Sequence, residues 1–122
     1  MREILFRGKT TDRGEWVQGC YTETLKYNNM HWIWDGKNHF TVNPETIGQY
    51  TGLNDKNGNK VFENDIVVFG LLPCVVKYDL SNGRYMFYEN GIYLKNGFNI
   101  DTIKTKEVIG NIHDNPELLG SK

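Results

Sequence analysis

Apolar and polar residues alternate in short runs along this chain, and turn-forming residues separate the runs. The clearest case flanks Asn82-Gly83, where "CVVKYDL" (74–80) precedes the pair and "RYMFYE" (84–89) follows it. A two-residue turn there pairs Leu80 with Tyr85 and Tyr78 with Phe87. One face then holds Val76, Tyr78, Leu80, Tyr85 and Phe87, and the other holds Lys77, Asp79 and Met86. This alternation predicts an antiparallel sheet that is buried on one side.

A second hairpin is expected at Asp35-Gly36, because this dipeptide favours a two-residue turn. The turn separates "HWIW" (31–34) from "KNHFTV" (37–42). It pairs Trp32 with His39 and His31 with Phe40. Paired residues share a face, so the two histidines point to opposite sides of the hairpin and cannot bind one metal together.

The stretch "DKNGNKVFEND" (55–65) begins like a calcium loop, with oxygen-bearing side chains at alternate positions. A calcium loop of that kind needs Gly at its sixth position and Glu at its twelfth. Here those positions are Lys60 and Ile66, so we expect no calcium site. Asn57-Gly58 instead predicts the two-residue turn of a hairpin, and Asp55 is expected to be a solvated turn residue.

The remaining elements follow from the same signals. We expect strands over 3–9 and 15–21, a closing strand over 106–112, and single helical turns at "PETIG" (44–48) and "NPELL" (115–119). The expected division is a β-rich N-terminal subdomain over 1–49 and an SH3-like small barrel with a short helical turn over 50–122. The barrel residues predicted to be buried are Val61, Phe62, Ile66, Val76, Tyr78, Leu80, Tyr85 and Phe87.

Composition supports a mainly β chain. Its 122 residues include no alanine, the best helix former, but thirteen glycines, seven tyrosines, six phenylalanines and three tryptophans. The formal charge is −1, and the charges are spread evenly along the chain. No basic stripe is evident, so neither nucleic-acid binding nor attraction to a membrane surface is expected from the charge.

The two cysteines, Cys20 and Cys74, have none of the spacings typical of metal sites, so we expect half-buried thiols in a reducing compartment. The apolar run near the N-terminus is too short for a signal peptide, and no segment reaches the length of a membrane span, so we expect a soluble protein. No nucleophile motif, phosphate-binding loop or metal-ligand pattern is present in the sequence, which predicts a protein that is not an enzyme and needs no cofactor or metal.

Trp32 and Trp34 lie two residues apart on one strand face, with His39 on the neighbouring strand. The commoner arrangement for such aromatic residues is a buried core face, because they bury a large apolar area. The alternative is an interaction surface formed by these three residues, for a protein partner, a second copy of the chain or stacked bases.

Three segments, "MREILFRGK…GEWVQGCY", "NPETIGQYTGLNDKNGNKVFENDIVVF" and "EVIGNIHDNPELL", resemble the YopX family of bacteriophage and prophage proteins. The resemblance implies a β-rich fold with an SH3-like C-terminal part, and a location in the cytoplasm of a bacterial host cell. It implies no established activity. The family often has Gly directly before its Asp-Ile-Val, where this chain has Asn64, a residue that tolerates left-handed backbone.

Together these observations predict a phage or prophage accessory protein that acts by binding or assembly. A homo-oligomer is expected, because the hairpin with Trp32 and Trp34 needs a second surface to cover it. An unknown protein partner is compatible with the same surface. The alternative function is nucleic-acid binding through the SH3-like barrel, with exposed aromatic residues and the lysines Lys56, Lys60 and Lys77.

Overall fold

The computed structural model describes residues 4–24, 30–69, 72–80, 83–89, 92–93 and 100–119. Its strands are β1 (Phe6–Lys9), β2 (Trp16–Thr24), β3 (Met30–Trp34), β4 (His39–Thr41), β5 (Gly48–Asn54), β6 (Lys60–Phe62), β7 (Asp65–Phe69), β8 (Leu72–Asp79), β9 (Arg84–Glu89), β10 (Ile92–Tyr93) and β11 (Val108–Asn111). Three short 3₁₀ helices are η1 (Pro44–Thr46), η2 (Ile100–Thr105) and η3 (Pro116–Leu119). The prediction of a mainly β chain is confirmed, and the helical turns at η1 and η3 lie where they were expected. Helix η2 was not predicted.

The chain divides into two compact units, residues 1–50 and residues 51–122. Strand β5 begins in the first unit and ends in the second. In the first unit the strand order is β4-β3-β2-β1-β5, and all described pairs are antiparallel. In the second unit β6 neighbours β5, and a separate sheet has the order β10-β9-β8-β7-β11.

The first sheet curls, because the end of β4 returns to the end of β1. Thr10 and Val42 form an isolated bridge, and the backbone N–H of Asn43 donates to the Lys9 carbonyl over 2.9 Å. Ile33 and Val42 are fully or almost fully buried inside this curl. Gly8 lies against both, and a Cβ on it would come within 3.2 Å of their side chains. The concave side is therefore the core of the first unit.

The second unit has a hydrophobic cluster packed against one face of its five-stranded sheet. This buried cluster comprises Val61, Val67, Cys74, Val76, Tyr85, Phe87 and Ile103. Ile103 comes from η2, and the half-buried Leu53 and Val108 pack against the cluster. Six of the eight predicted barrel residues, Val61, Phe62, Ile66, Val76, Tyr85 and Phe87, are buried as expected.

Two of the predicted core residues are not buried: Tyr78 is 43% exposed and Leu80 is 88% exposed. The face with Met86, predicted to be polar, is also buried, since Ile66, Val75 and Met86 have little or no exposed surface. The prediction of a sheet buried on one side was therefore wrong. The described ladders do not join β10 to β11, so a closed SH3-like barrel is not found in the described residues.

Register explains the error at Leu80. Tyr78 pairs with Tyr85 and Asp79 with Arg84, so four residues separate the strands instead of two. The Asp35-Gly36 hairpin has the same displacement, because Trp34, not Trp32, pairs with His39. A shift of two residues leaves every side chain on its predicted face, whereas it moves Leu80 beyond the end of the sheet.

The Asn57-Gly58 turn differs in another way. The backbone N–H of Asp55 donates to the Asn59 carbonyl over 2.8 Å, which leaves a three-residue loop. Gly58 has φ +85°, and Asn57 has no positive φ, so the predicted turn with two left-handed residues is absent. A three-residue loop with a left-handed Gly is the next commonest hairpin connection.

Asn64 takes the left-handed backbone that was expected at the position before Asp65-Ile66-Val67. Its φ is +76°, the only positive value at a described residue other than glycine. The backbone N–H of Asn64 donates to the Val76 carbonyl, and its own carbonyl accepts from the Ile112 N–H. The turn therefore ties β7 to β8 and to the segment after β11, as a glycine would allow at lower strain.

Candidate interaction surface

Trp32, Trp34 and His39 lie together on the convex face of the first sheet, and we refer to them as the aromatic patch. Strand β3 alternates, so Ile33 between the two tryptophans is fully buried in the core while its neighbours face outward. Trp34 is 37% exposed and Trp32 is half-buried. The structure thus places Trp32, Trp34 and His39 on the outward face. The buried core face that the sequence favoured was wrong for Trp34 and His39, which are exposed, and Trp32 is half-buried.

His39 joins the two tryptophans of the aromatic patch. Its ring centroid is 4.6 Å from that of Trp34, with the planes inclined by 36°, and 6.4 Å from that of Trp32 in an edge-on arrangement. Both separations are typical of favourable aromatic contacts. The three rings therefore form one continuous surface, on which Trp34 and His39 are exposed and Trp32 is half-buried.

Gly19 is required for the backbone beneath Trp34. A Cβ at Gly19 would overlap the carbonyl group of Trp34. Strands β2 and β3 approach closely at this point, where Cys20 pairs with Trp34. Any larger residue at position 19 would push β3 away and displace the aromatic patch.

The loop beside the aromatic patch is held by Asp35. One carboxylate oxygen accepts the backbone N–H groups of Lys37 and Asn38, over 2.8 Å and 2.7 Å. These N–H groups, first that of Asn38, lower the pKa of Asp35 below its usual value of 3.8. Gly36 supplies the left-handed residue, with φ +98°. The charged Asp35 carboxylate thereby stabilises the loop that connects Trp34 to His39.

A second group on the same convex face was not predicted. The Arg7 guanidinium carbon lies 4.6 Å from the ring centroid of Trp16, and the Lys9 ammonium nitrogen lies 5.5 Å from it. We call Arg7, Lys9 and Trp16 the cationic patch. Both distances fall in the range of cation–π attraction. The signal in the sequence was the alternation of Arg7 and Lys9, but their position opposite Trp16 depends on the pairing of β1 with β2.

The other histidine of this hairpin lies on the opposite face, as the alternation predicts. Nδ1 of His31 is 2.7 Å from the hydroxyl oxygen of Tyr21, and the two rings are parallel. His31 therefore belongs to the concave side and is not part of the aromatic patch.

The predicted turn residue Asp55 has a different role from the one expected. It is only 5% exposed, so the prediction of a solvated carboxylate was wrong. One oxygen accepts the N–H groups of Asn57 and Asn59, each over 2.9 Å. The other accepts the Val108 N–H over 3.0 Å. Burial raises the pKa of Asp55, but the N–H donors outweigh that effect and hold the pKa below 3.8.

Metal-ligating and thiol groups are dispersed. Within the described ranges no three His, Cys, Asp or Glu side chains are placed to hold one ion. Cys20 is exposed and Cys74 is buried, and they are not joined in a disulfide. The expectation of two half-buried thiols was therefore wrong for both. Among the described residues, no helix has the length and apolar character needed to cross a membrane.

Comparisons with known proteins identify a matching family and a solved structure of similar fold. The family model described as YopX protein matches residues 5–120. The fold is similar to the crystal structure of protein EF1440 from Enterococcus faecalis, with a TM-score of 0.63 and 26% sequence identity. That similarity covers 98% of this chain and 99% of the other. A comparison with curated proteins finds no match. Because the family match spans nearly all residues, the chain belongs to the YopX family, a membership that indicates a phage-type protein.

Proposed function

We propose that this protein is a non-enzymatic phage or prophage accessory protein that acts as a binding and assembly module. The single observation that carries the proposal is the exposed aromatic patch, in which Trp34 is 37% exposed and lies 4.6 Å from His39. Tryptophan is among the residues that contribute most to the free energy of protein association. A convex sheet face with clustered rings is suited to protein contact.

The partner that we propose for the aromatic patch is a second copy of the chain. The net charge of −1 causes little long-range repulsion between copies. Threonine and other uncharged residues surround the rings, since Trp32 pairs with Thr22 on one side and with Thr41 on the other. Contact between two such faces would bury aromatic surface without burying a carboxylate.

Light scattering after size exclusion tests this assignment at tens of micromolar protein. We expect a mass of at least twice the monomer's 14.2 kDa. Trp32→Ala and Trp34→Ala should both lower the mass toward that of the monomer. Tyr78→Ala is a matched control, because Tyr78 is an aromatic residue of similar exposure in the second unit. A monomeric wild-type protein, or equal effects of all three substitutions, would contradict the assignment.

The proposal of a non-enzymatic role is supported by how three aspartates are used. The pKa values of Asp12, Asp35 and Asp55 are lowered: the Thr10 hydroxyl is the main cause at Asp12, and backbone N–H groups contribute at all three. Ionised carboxylates that accept such hydrogen bonds stabilise turns and strands, whereas a general acid needs a raised pKa.

An SH3-like organisation of the second unit belongs to the proposal as well. It is supported by five antiparallel strands, of which β7, β8, β9 and β10 follow one another and β11 returns to β7. The alternative function, nucleic-acid binding through this unit, is supported by the 43% exposure of Tyr78 and by the exposed Lys56, Lys60 and Lys77. Titration of an oligonucleotide at several salt concentrations tests it, since phosphate contacts make affinity fall steeply with salt. We expect no complex tighter than about micromolar near physiological salt.

A further inference from the structure

The exposed loop between β5 and β6 contains Asn57 followed by Gly58, a pair that is chemically reactive as well as turn-forming. Asparagine is a thermolabile residue, because the backbone nitrogen of the next residue can attack its side-chain carbonyl carbon. Glycine favours this attack, since it has no Cβ to shield its nitrogen. No atom lies within 4 Å of the position that a Cβ on Gly58 would take, so the described chain leaves that side of Gly58 open.

Hydrogen bonds to Asp55 oppose this reaction in the folded loop. The Gly58 N–H, whose nitrogen is the attacking atom, donates to the Asp55 carbonyl over 3.0 Å. The Asn57 and Asn59 N–H groups both donate to one oxygen of the Asp55 carboxylate, each over 2.9 Å. Loss of the Gly58 proton to solvent requires this N–H to leave its acceptor, so the loop must first open locally.

The Asp55 carboxylate also fixes the loop from outside. Its other oxygen accepts the Val108 N–H over 3.0 Å, and the residue is only 5% exposed. The N–H donors hold the pKa of Asp55 low although burial raises it, so the carboxylate is charged at neutral pH. A negative charge nearby disfavours removal of a proton from the Gly58 nitrogen. Asp55 therefore slows attack on Asn57 both by holding the loop closed and by its charge.

We propose that Asn57 is a site of spontaneous deamidation whose rate is controlled by Asp55. The Gly58 nitrogen gives its proton to a base in solution and bonds to Cγ of Asn57, and the side-chain nitrogen leaves as ammonia. Water then opens the cyclic imide at either carbonyl, which gives aspartate or isoaspartate at position 57. Water is consumed and ammonia is released, with no change of oxidation state. This modification site is independent of the self-association proposed for the aromatic patch.

Either product alters the surroundings of the Asp55 carboxylate. Isoaspartate routes the backbone through the side chain, so the three-residue loop becomes longer by a methylene group and its N–H groups move relative to Asp55. Both products add a carboxylate close to that of Asp55, and like charges disfavour each other's ionised forms. Deamidation therefore loosens the hydrogen bond by which this loop is held to Val108.

Peptide mapping by mass spectrometry tests the proposal on the full-length chain during incubation in neutral buffer. We expect aspartate and isoaspartate to accumulate faster at position 57 than at Asn59, which is exposed in the same loop but precedes Lys60. The other Asn-Gly pairs, at 82–83, 90–91 and 96–97, are quantified on separate peptides. No accumulation at position 57, or equal rates at the two positions, would overturn the proposal.

A matched pair of variants tests the control by Asp55. Asp55→Ala removes the carboxylate that accepts the loop N–H groups, so deamidation of Asn57 should become at least about fivefold faster. Asp35→Ala removes the corresponding carboxylate from the loop after β3 and should leave the rate at Asn57 unchanged. Equal rates in both variants would show that Asp55 does not control the reaction.

The wild-type protein unfolded in guanidinium chloride gives a reference that does not depend on the folding of any variant. Deamidation of Asn57 should be at least about tenfold faster there than in the folded protein, because the Gly58 N–H has lost its acceptor. Equal rates in the folded and unfolded protein would overturn the proposal.

A second matched pair tests the effect of the product on stability. Asn57→Asp reproduces one product and should lower the midpoint of urea unfolding more than Asn38→Asp, which adds the same charge beside the exposed Asp35. Equal shifts of the two midpoints would show that a carboxylate at position 57 does not loosen the hydrogen bond from Val108 to Asp55.

Discussion

Two hairpin tips of this molecule have closely similar sequences and very different surroundings. The loop after β3 begins with Asp35 and contains Gly36, and the loop after β5 begins with Asp55 and contains Gly58. Both glycines have a left-handed backbone, with φ values of +98° and +85°. In each loop one aspartate oxygen accepts two backbone N–H groups of the same loop. Local turn chemistry is therefore shared by the two tips.

The difference lies in the second oxygen of each aspartate. In Asp55 it accepts the N–H of Val108, a residue 53 positions away in the sequence, and the carboxylate is buried. The same region is tied a second time, because the Lys56 N–H donates to the Lys106 carbonyl over 2.9 Å. Asp35 is exposed and holds only its own loop. The aspartate of one tip closes a turn, and that of the other also fastens the turn to a distant strand.

The largest expected effect comes from removing the buried carboxylate. Asp55→Ala should lower the free energy of unfolding by about 3 kcal/mol, because three backbone N–H groups lose a charged acceptor that is itself almost fully buried. Equilibrium unfolding in urea at neutral pH measures this, with the slope of the transition checked for two-state behaviour. A loss as small as that caused by Asp35→Ala would show that the tie to Val108 does not stabilise the fold.

Acid should weaken the same tie. The folded-state pKa of Asp55 is depressed, so its contribution is fully present above the unfolded-state pKa of about 3.9 and is lost as the pH falls through the lower folded-state value. We therefore expect the stability difference between the wild type and Asp55→Asn to shrink as the pH drops from about 5 to below 3.8. Urea unfolding at a series of pH values measures the difference. A stability difference that stays constant over this pH range would mean that the negative charge of Asp55 does not strengthen its hydrogen bonds to the N–H donors.

Strand positions and faces could be predicted from alternation, whereas registers could not. At the loops after β3 and β8 each strand pair is displaced by two residues, and the side chains keep their faces because the strand period is two. The dipeptide rule considers only the backbone of the two turn residues. At the loop after β3 it omits Asp35, whose carboxylate accepts the N–H groups of Lys37 and Asn38 and so selects a different turn.

The candidate site, too, could be predicted from the sequence only in part. Trp32, Trp34 and His39 could be grouped from the sequence, because alternate residues of a strand share a face and the expected hairpin places His39 on the same face as the two tryptophans. That the face is convex depends on the bridge between Thr10 and Val42, which curls the sheet around Ile33. The cationic patch and the tie from Asp55 to Val108 join residues of different elements, and no local pattern indicates such pairs.

A smaller effect is expected at the two glycines, where the tips should behave alike. Gly36→Ala and Gly58→Ala should each cost about 1 kcal/mol, because an alanine Cβ disfavours left-handed backbone. No atom lies within 4 Å of the position a Cβ would take at either glycine, so packing adds nothing to the cost. Thermal unfolding of both variants measures the effect. A much larger loss at Gly58 would show that the second tip is sensitive to more than its backbone conformation.

The smallest effect on stability is expected from Asp35→Ala, because the Asp35 carboxylate is exposed. Water can replace the lost acceptor for the N–H groups of Lys37 and Asn38, because this loop is exposed, so the unfolding transition should move only slightly. The loop nevertheless closes directly onto the pair formed by Trp34 and His39. We therefore expect self-association to weaken by no more than about threefold, since groups at the rim of a contact contribute little compared with its central rings. Sedimentation equilibrium of Asp35→Ala and Trp34→Ala measures the two dissociation constants under the same conditions. If Asp35→Ala weakened association as strongly as Trp34→Ala, the exposed aspartate would be a determinant of the surface, and the difference between the two tips would be one of function as well as of stability.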